Sequence, residues 1–154
     1  MELDRTWIAS RIPHRDRMCL LDRVLEWDDA HVVCRATSHR DIDNPLRAHG
    51  RLGAACGIEY AAQAMAVHGA LLAADGLPPR MGYLTSVREV ELRVPRLDQV
   101  AADLDVEALR LSGDENNIAY RFFVRAGRQE LLCGRAIVVL DAERTPRSRR
   151  GGNT

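Results

Sequence analysis

Gly53-Ala-Ala-Cys-Gly-Ile-Glu59-Tyr-Ala-Ala-Gln63-Ala-Met-Ala-Val-His-Gly-Ala-Leu-Leu-Ala-Ala-Asp75 is the one long helical signal in a chain that otherwise alternates like β-sheet. The breaker cluster Asp75-Gly76-Leu77-Pro78-Pro79 ends it, so a helix is expected from about Gly53 to Ala74. Its composition favours close packing. Ala54, Ala55, Gly57, Ala61, Ala62, Ala64, Ala66 and Ala70 leave room for strands to approach the helix axis. On this small, apolar surface Glu59 and Gln63 place a carboxylate and an amide one turn apart. A charged group is seldom enclosed unless something pairs or uses it, and Glu59 is therefore the first candidate site residue.

On either side of the helix the pattern is that of strands. Met18 to Trp27 reads as one strand and Asp28-Asp29-Ala30 as a turn; Val32, Cys34 and Ala36 then alternate with His31, Val33 and Arg35, completing a hairpin. A polar loop from Ser38 to Arg51 leads to the helix. Beyond it, Val90, Leu92 and Val94 alternate with Glu89, Glu91 and Arg93, and Ala102 to Ala108 with Asp103, Asp105 and Glu107. Ile118, Tyr120, Phe122 and Val124 alternate with Arg121 and Arg125, while Leu131 to Leu140 is a more continuously apolar run, as expected of a central strand. Residues 1–16 read as a short helical or irregular lead. Residues 142–154, Arg-rich and without an apolar anchor, read as a disordered tail behind a single domain spanning 1–141. One helix cannot cover both faces of six strands, but a curved sheet can wrap one helix. The expected fold class is α+β: a curved antiparallel sheet of about six strands around one long helix, dimerising through a sheet edge.

The 154 residues carry 22 basic and 22 acidic side chains, so global charge draws the chain neither to nucleic acid nor to a membrane. Apart from histidine every basic residue is arginine, which excludes lysine Schiff-base chemistry. Cys19, Cys34, Cys56 and Cys133 form no CxxC pair. With no signal-peptide or membrane-spanning pattern, they read as reduced thiols of a cytoplasmic protein. Cys56 stands beside the helix start, where a thiolate would be favoured, although a small packing residue is the plainer reading. No metal-ligand or nucleotide-binding spacing is present, and no cofactor is expected.

Two motifs, in order, resemble a known family. Ile12-Pro13-His14-Arg15 followed by Leu20-Leu21-Asp22-Arg23-Val24 resembles the Pro-His-Arg…Leu-Asp-Arg-Val opening of the β-hydroxyacyl–acyl carrier protein dehydratases of the hotdog fold. Glu59-Tyr-Ala-Ala-Gln63 resembles their helix motif, Glu-x-x-Ala-Gln. The order of elements agrees from about residue 10 to 141. The closest resemblance is to the divergent members found in aryl-polyene-type gene clusters, whose loop before the helix is shortened.

The resemblance implies dehydration of a 3-hydroxyacyl thioester to the trans-2-enoyl thioester in fatty-acid or polyene-type biosynthesis. Such a site needs a base for the C2 proton, an acid for the C3 hydroxyl and donors for the thioester oxygen. By resemblance Glu59 handles the hydroxyl and a loop histidine is the base. His49, in Arg47-Ala48-His49-Gly50-Arg51, is the candidate base or else an exposed loop residue; His39 and Asp43 are the fallbacks. The N–H groups of Gly53, Ala54 and Ala55 at the helix start would serve the thioester oxygen. Gln63 would bond Glu59 or the substrate, or lie at a dimer seam. His68, nine residues beyond Glu59 at about 100° per residue, falls on the opposite helix face and reads as a packed or surface histidine. His14 and Arg15 read as structural. The implied partners are an acyl carrier protein bearing phosphopantetheine-linked substrate and a second subunit, a copy or a paralogue. Arg47, Arg51, Arg80, Arg88 and Arg96 could form the patch that meets an acidic carrier. Two other functions fit the pattern: a catalytically degenerate dehydratase-like subunit supporting a paralogue, and a hotdog thioesterase in which Glu59 activates water.

Overall fold

Asp4 opens the first helix, α1 (Arg5–Arg11), by accepting the Trp7 N–H at 3.0 Å. In this computed structural model, which describes residues 3–13, 18–73 and 82–140, the hairpin of β1 (Arg23–Trp27) and β2 (His31–Ala36) follows. A 3₁₀ turn (Ala54–Cys56) leads into α2 (Gly57–Leu72). The remaining strands are β3 (Gly82–Leu92), β4 (Leu104–Gly113), β5 (Asn117–Ala126) and β6 (Gln129–Leu140). All pair antiparallel in one sheet of order β1-β2-β4-β5-β6-β3, which leaves β1 and β3 as its edges.

Register explains how the sheet closes on the helix. Cys34, Val106, Val124 and Leu132 form one row across β2, β4, β5 and β6. All four are inaccessible or nearly so and share a core with Tyr60, Ala61, Ala64 and Val67 of α2. Each large apolar side chain in that core contributes about 1.5–3 kcal/mol by leaving water. The next row carries Val32, Ala108, Phe122 and Gly134. A Cβ at Gly134 would lie 2.7 Å from the Phe122 ring, and one at Gly57 would lie 2.6 Å from Leu132 Cδ2. The missing side chains let Phe122 fill the hollow of the sheet and bring the first turn of α2 down onto β6.

The α+β architecture, a six-stranded antiparallel sheet with one long helix, is the expected one; the element boundaries differ in places. Met18 to Asp22 is not strand. Its buried core, Cys19 to Leu21, is held by side chains in place of a ladder, as described below. β3 is already strand at Gly82, well before the first alternating residue, because an exposed edge carries no inside-outside pattern for the sequence to display. β4 runs from Leu104, not Ala102, and the α-helix begins at Gly57 after the 3₁₀ turn. The tail, the breaker cluster, His14, Arg15 and Arg80 lie outside the described residues. Among the described residues no helix is long and apolar enough to cross a membrane.

Candidate active site

Glu59 sits in the first turn of α2, where the helix dipole favours a carboxylate. Gln63, fully buried one turn later, fixes it. The Gln63 Oε1 accepts the Leu20 N–H at 2.9 Å, so its Nε2 is the donor side. That nitrogen donates to the Met18 carbonyl at 2.7 Å and to Glu59 Oε2 at 3.2 Å. Both amide hydrogens are thereby used, one to anchor the 18–20 segment and one to hold the carboxylate. The other side of Leu20 is clamped as well: Ser38 Oγ donates to its carbonyl at 2.8 Å. With that proton committed, the Tyr60 hydroxyl donates to Ser38 Oγ and in turn accepts from Asn44 Nδ2 at 3.0 Å. Asp22 completes the frame by accepting both the backbone N–H and the hydroxyl of Thr37 at 2.8 Å. The Leu20-Leu21-Asp22 motif is thus the strut that carries Gln63, and through it Glu59.

Glu59 lines a cavity of about 410 Å³ between α2 and the β5–β6–β3 side of the sheet. The helix contributes Ala62, Met65, Ala66 and Gly69; the strands contribute Ile118, Tyr120, Val138, Leu140 and the start of β3; the end of α1 closes one side. Among the described lining residues Glu59 and Arg11 carry charge and none is a histidine; His14, next to the lining Pro13, lies outside the described residues. A carboxylate held by an amide at the wall of an apolar cavity can exchange a proton with a substrate hydroxyl or a water that enters it. Small residues at 59+3, 59+7 and 59+10, namely Ala62, Ala66 and Gly69, share a helical stripe with Glu59. That stripe was the available sequence signal for the cavity wall; Tyr120 and the contribution of α1 had none.

The other expected site residues lie elsewhere. His49 is exposed in a two-residue turn, with reciprocal Ala48–Arg51 backbone bonds of 2.9 and 3.0 Å and positive φ at both His49 (54°) and Gly50 (75°). Asp43 is exposed. His39 is buried and its Nε2 donates to the carbonyls of Val100 (3.1 Å) and Ala102 (3.0 Å), fastening one loop to another; burial pulls its pKa below the usual imidazole value. At the helix start, the Ala54 N–H already donates to the Pro95 carbonyl at 3.2 Å, whereas those of Gly53 and Ala55 make no such bond to a neighbouring loop among the described residues. His68 is packed, as its helix face required. Its Nε2 donates to the Asp28 carbonyl and its Nδ1 accepts the Tyr120 hydroxyl, each at 2.9 Å, which fixes a neutral tautomer. Burial pushes the Tyr120 hydroxyl up to about 12.

Burial also raises the Cys56 thiol, whose Sγ donates to the Leu46 carbonyl, so Cys56 is a packing thiol and not a thiolate. Of the five arginines considered for a carrier patch, Arg96 is bound to Asp98 at 2.6 and 3.0 Å and Arg47 to backbone carbonyls of its own loop. Arg51 and Arg88 are exposed.

A sheet of this order wrapped on one helix defines a hotdog fold, and solved structures agree. A chain described as the dehydratase heterocomplex ApeI:P from Xenorhabdus doucetiae matches with 26% identity over 96% of this chain and 97% of that one, TM-score 0.75. A mutant thioesterase from Pseudomonas aeruginosa matches with 10% identity over 77% and 79%, TM-score 0.57. The phenylacetic acid degradation protein PaaI from Thermus thermophilus matches with 16% identity over 76% and 90%, TM-score 0.55. At such identities the last two speak for the fold alone. No curated protein sequence matches the chain. A family model described as ApeP-like, ApeP dehydratase, matches residues 6–145, and the chain belongs to that family.

Proposed function

We propose that the chain is the acid-bearing subunit of a heteromeric dehydratase that converts a 3-hydroxyacyl thioester on an acyl carrier protein to the trans-2-enoyl thioester in polyene-type biosynthesis. The observation that carries this reading is Glu59, held by the fully buried Gln63 at the wall of an apolar cavity. In the reaction a base removes the C2 proton, the C2–C3 double bond forms as the C3–O bond breaks, and Glu59 gives its proton to the departing hydroxyl, which leaves as water. Glu59 returns to its acid form by taking the proton held by the base, through water or substrate. The base reaches the Glu59 cavity from a second subunit. His49, on its exposed turn, is the group this chain would offer to a neighbour's cavity in return. The likeness to a chain of the ApeI:P heterocomplex supports a paralogue as that neighbour.

The exposure of His49 on its turn, outside the described cavity lining, also favours a second reading, in which this subunit only supports a catalytic paralogue. Turnover of a 3-hydroxyacyl–carrier thioester by the chain alone, by the paralogue alone and by the mixture separates them. Dehydration that appears only on mixing and falls with Glu59→Gln is the expected result. Full activity of the mixture with Glu59→Gln leaves the supporting role standing, and release of free thiol in place of enoyl product replaces both readings with a thioesterase.

A further inference from the structure

Three arginines stand shoulder to shoulder on the outer face of the sheet. Arg121 of β5 lies directly opposite Arg135 of β6, and Arg135 directly opposite Arg88 of β3. All three are exposed, while their strand neighbours Tyr120, Phe122, Gly134 and Ala136 face the core. Directly opposed side chains in an antiparallel pair are about 4.5–5.5 Å apart at Cβ, and like charges placed there repel. Other arginines of the sheet have carboxylate partners: Arg35 has Asp105 and Arg125 has Glu107, and Arg93, just past β3, has Glu91 and Glu130. In the ladder only Arg135 has a carboxylate, Glu89 at 3.8 Å; among the described residues Arg88 and Arg121 have none.

The surroundings are shaped for contact. A β-bulge between Arg88 and Glu91, with Glu89 at φ 55°, turns consecutive side chains of β3 toward Arg135. A depression of about 310 Å³ opens there, lined by Ser86, Arg88, Glu89, Ala119, Arg135 and Ile137. On the other flank Phe123 is stacked by Arg121 and Arg125, with guanidinium carbons 5.4 and 4.4 Å from the ring centroid. Cationic and apolar positions therefore run in parallel rows, Arg121–Arg135–Arg88 beside Ala119–Ile137.

We propose that this ladder is a docking surface for an acidic amphipathic helix of a protein partner. Strand spacing sets the guanidinium row at about 4.8 Å per step, close to the pitch of about 5.4 Å that carries carboxylates at i, i+4 and i+7 along one helix face. Three acidic side chains of such a helix meet three arginines in register, and its adjoining apolar residues meet Ala119, Ile137 and Phe123. With a formal net charge of zero the chain has no net monopole to draw in polyanions, so the match rests on local charge and spacing. The ladder lies on the outer face of the strands whose inner face forms the Glu59 cavity, and the inference does not depend on what that cavity does.

The test uses fluorescence anisotropy of the full chain with two labelled peptides of identical composition. One is a helix with Glu at i, i+4 and i+7 flanked by Leu, and the other is its scrambled isomer. The patterned helix is expected to bind at least about tenfold tighter, with affinity falling as salt rises, and Arg88→Ser/Arg121→Ser should remove about tenfold of that affinity. The same double variant should melt at or above the wild-type temperature, because it relieves repulsion, so loss of binding is not loss of fold. Equal binding of the scrambled isomer, or an unchanged affinity in the double variant, overturns the proposal. Tighter binding to a single-stranded oligonucleotide or to phosphatidylserine vesicles than to the patterned helix overturns it in favour of those ligands.

Discussion

Glu59 and His49, the two residues that the family resemblance puts into one reaction, are built in opposite ways. Glu59 rides on a helix, bonded to a buried amide that is itself locked onto two backbone groups. His49 sits on an exposed turn in a left-handed conformation that few non-glycine residues adopt. The fold of one chain is enough to place the acid. It leaves His49 exposed and outside the lining of the Glu59 cavity. In the proposed reaction the contrast divides the labour: one chain supplies an enclosed acid to its own cavity and a base on an exposed turn to a neighbour's.

Glu59→Gln should break the rigid half with the largest effect. The amide oxygen can still accept from Gln63, so the melting temperature should stay put while turnover of the assembled dehydratase falls about 10²–10⁴-fold. His49→Gly tests the other half by deleting the imidazole while suiting the backbone, since the left-handed conformation costs an L-residue about 1–2 kcal/mol and glycine almost nothing. Activity of the assembled enzyme should fall about 10²-fold, at the lower end because water can reach the turn, with stability unchanged or higher. Unchanged activity would leave Glu59 as the functional half and return His49 to the loop surface.

Gln63→Leu attacks the strut between the two halves of the argument. The side chain keeps its volume but leaves the Leu20 N–H buried without a partner, at a cost of about 1–3 kcal/mol. A melting temperature lower by roughly 3–10 °C is expected by calorimetry, together with lower kcat, because Glu59 loses its positioning bond. A fall in stability with kcat intact would show that Gln63 anchors residues 18–20 and does nothing for the carboxylate.

The sequence spoke clearly where one side of an element meets the core. The alanine-rich helix, the alternation of β5 and the Glu59–Gln63 spacing all follow from a buried face, and each appears in the structure as read. It was silent where order comes from side chains bonding to distant backbone. Cys19 to Leu21 looks like strand because it is apolar, yet the backbone N–H and carbonyl of Leu20 are satisfied by Gln63 and Ser38, which lie 43 and 18 residues away. β3 was half missed because exposure erases alternation along Gly82–Thr85. Tyr120 looked like any inward strand residue; that its ring lines the cavity and its hydroxyl meets His68 depends on register between β5 and α2, which no local pattern encodes.

Two histidines that share Asp28 give the smallest and most discriminating effect. His31 donates to the Asp28 carboxylate at 2.8 Å and to Glu26 at 3.0 Å, bonds that raise its pKa, Glu26 the larger cause. His68 donates to the Asp28 carbonyl from inside the core, where burial lowers its pKa. A raised folded pKa gives stability that is complete below the unfolded value of about 6.5 and is lost as pH rises through the folded pKa. A lowered one gives stability that is present above about 6.5 and is lost as pH falls toward the folded pKa. Melting temperatures measured between pH 7 and 5 should therefore fall less steeply in His68→Gln than in wild type, and more steeply in His31→Asn. His39, buried and lowered like His68, keeps the acid-side slope from vanishing in the first variant. Slopes that move in the same direction in both variants would mean that Asp28 does not separate an outer, charge-seeking histidine from an inner, charge-excluding one.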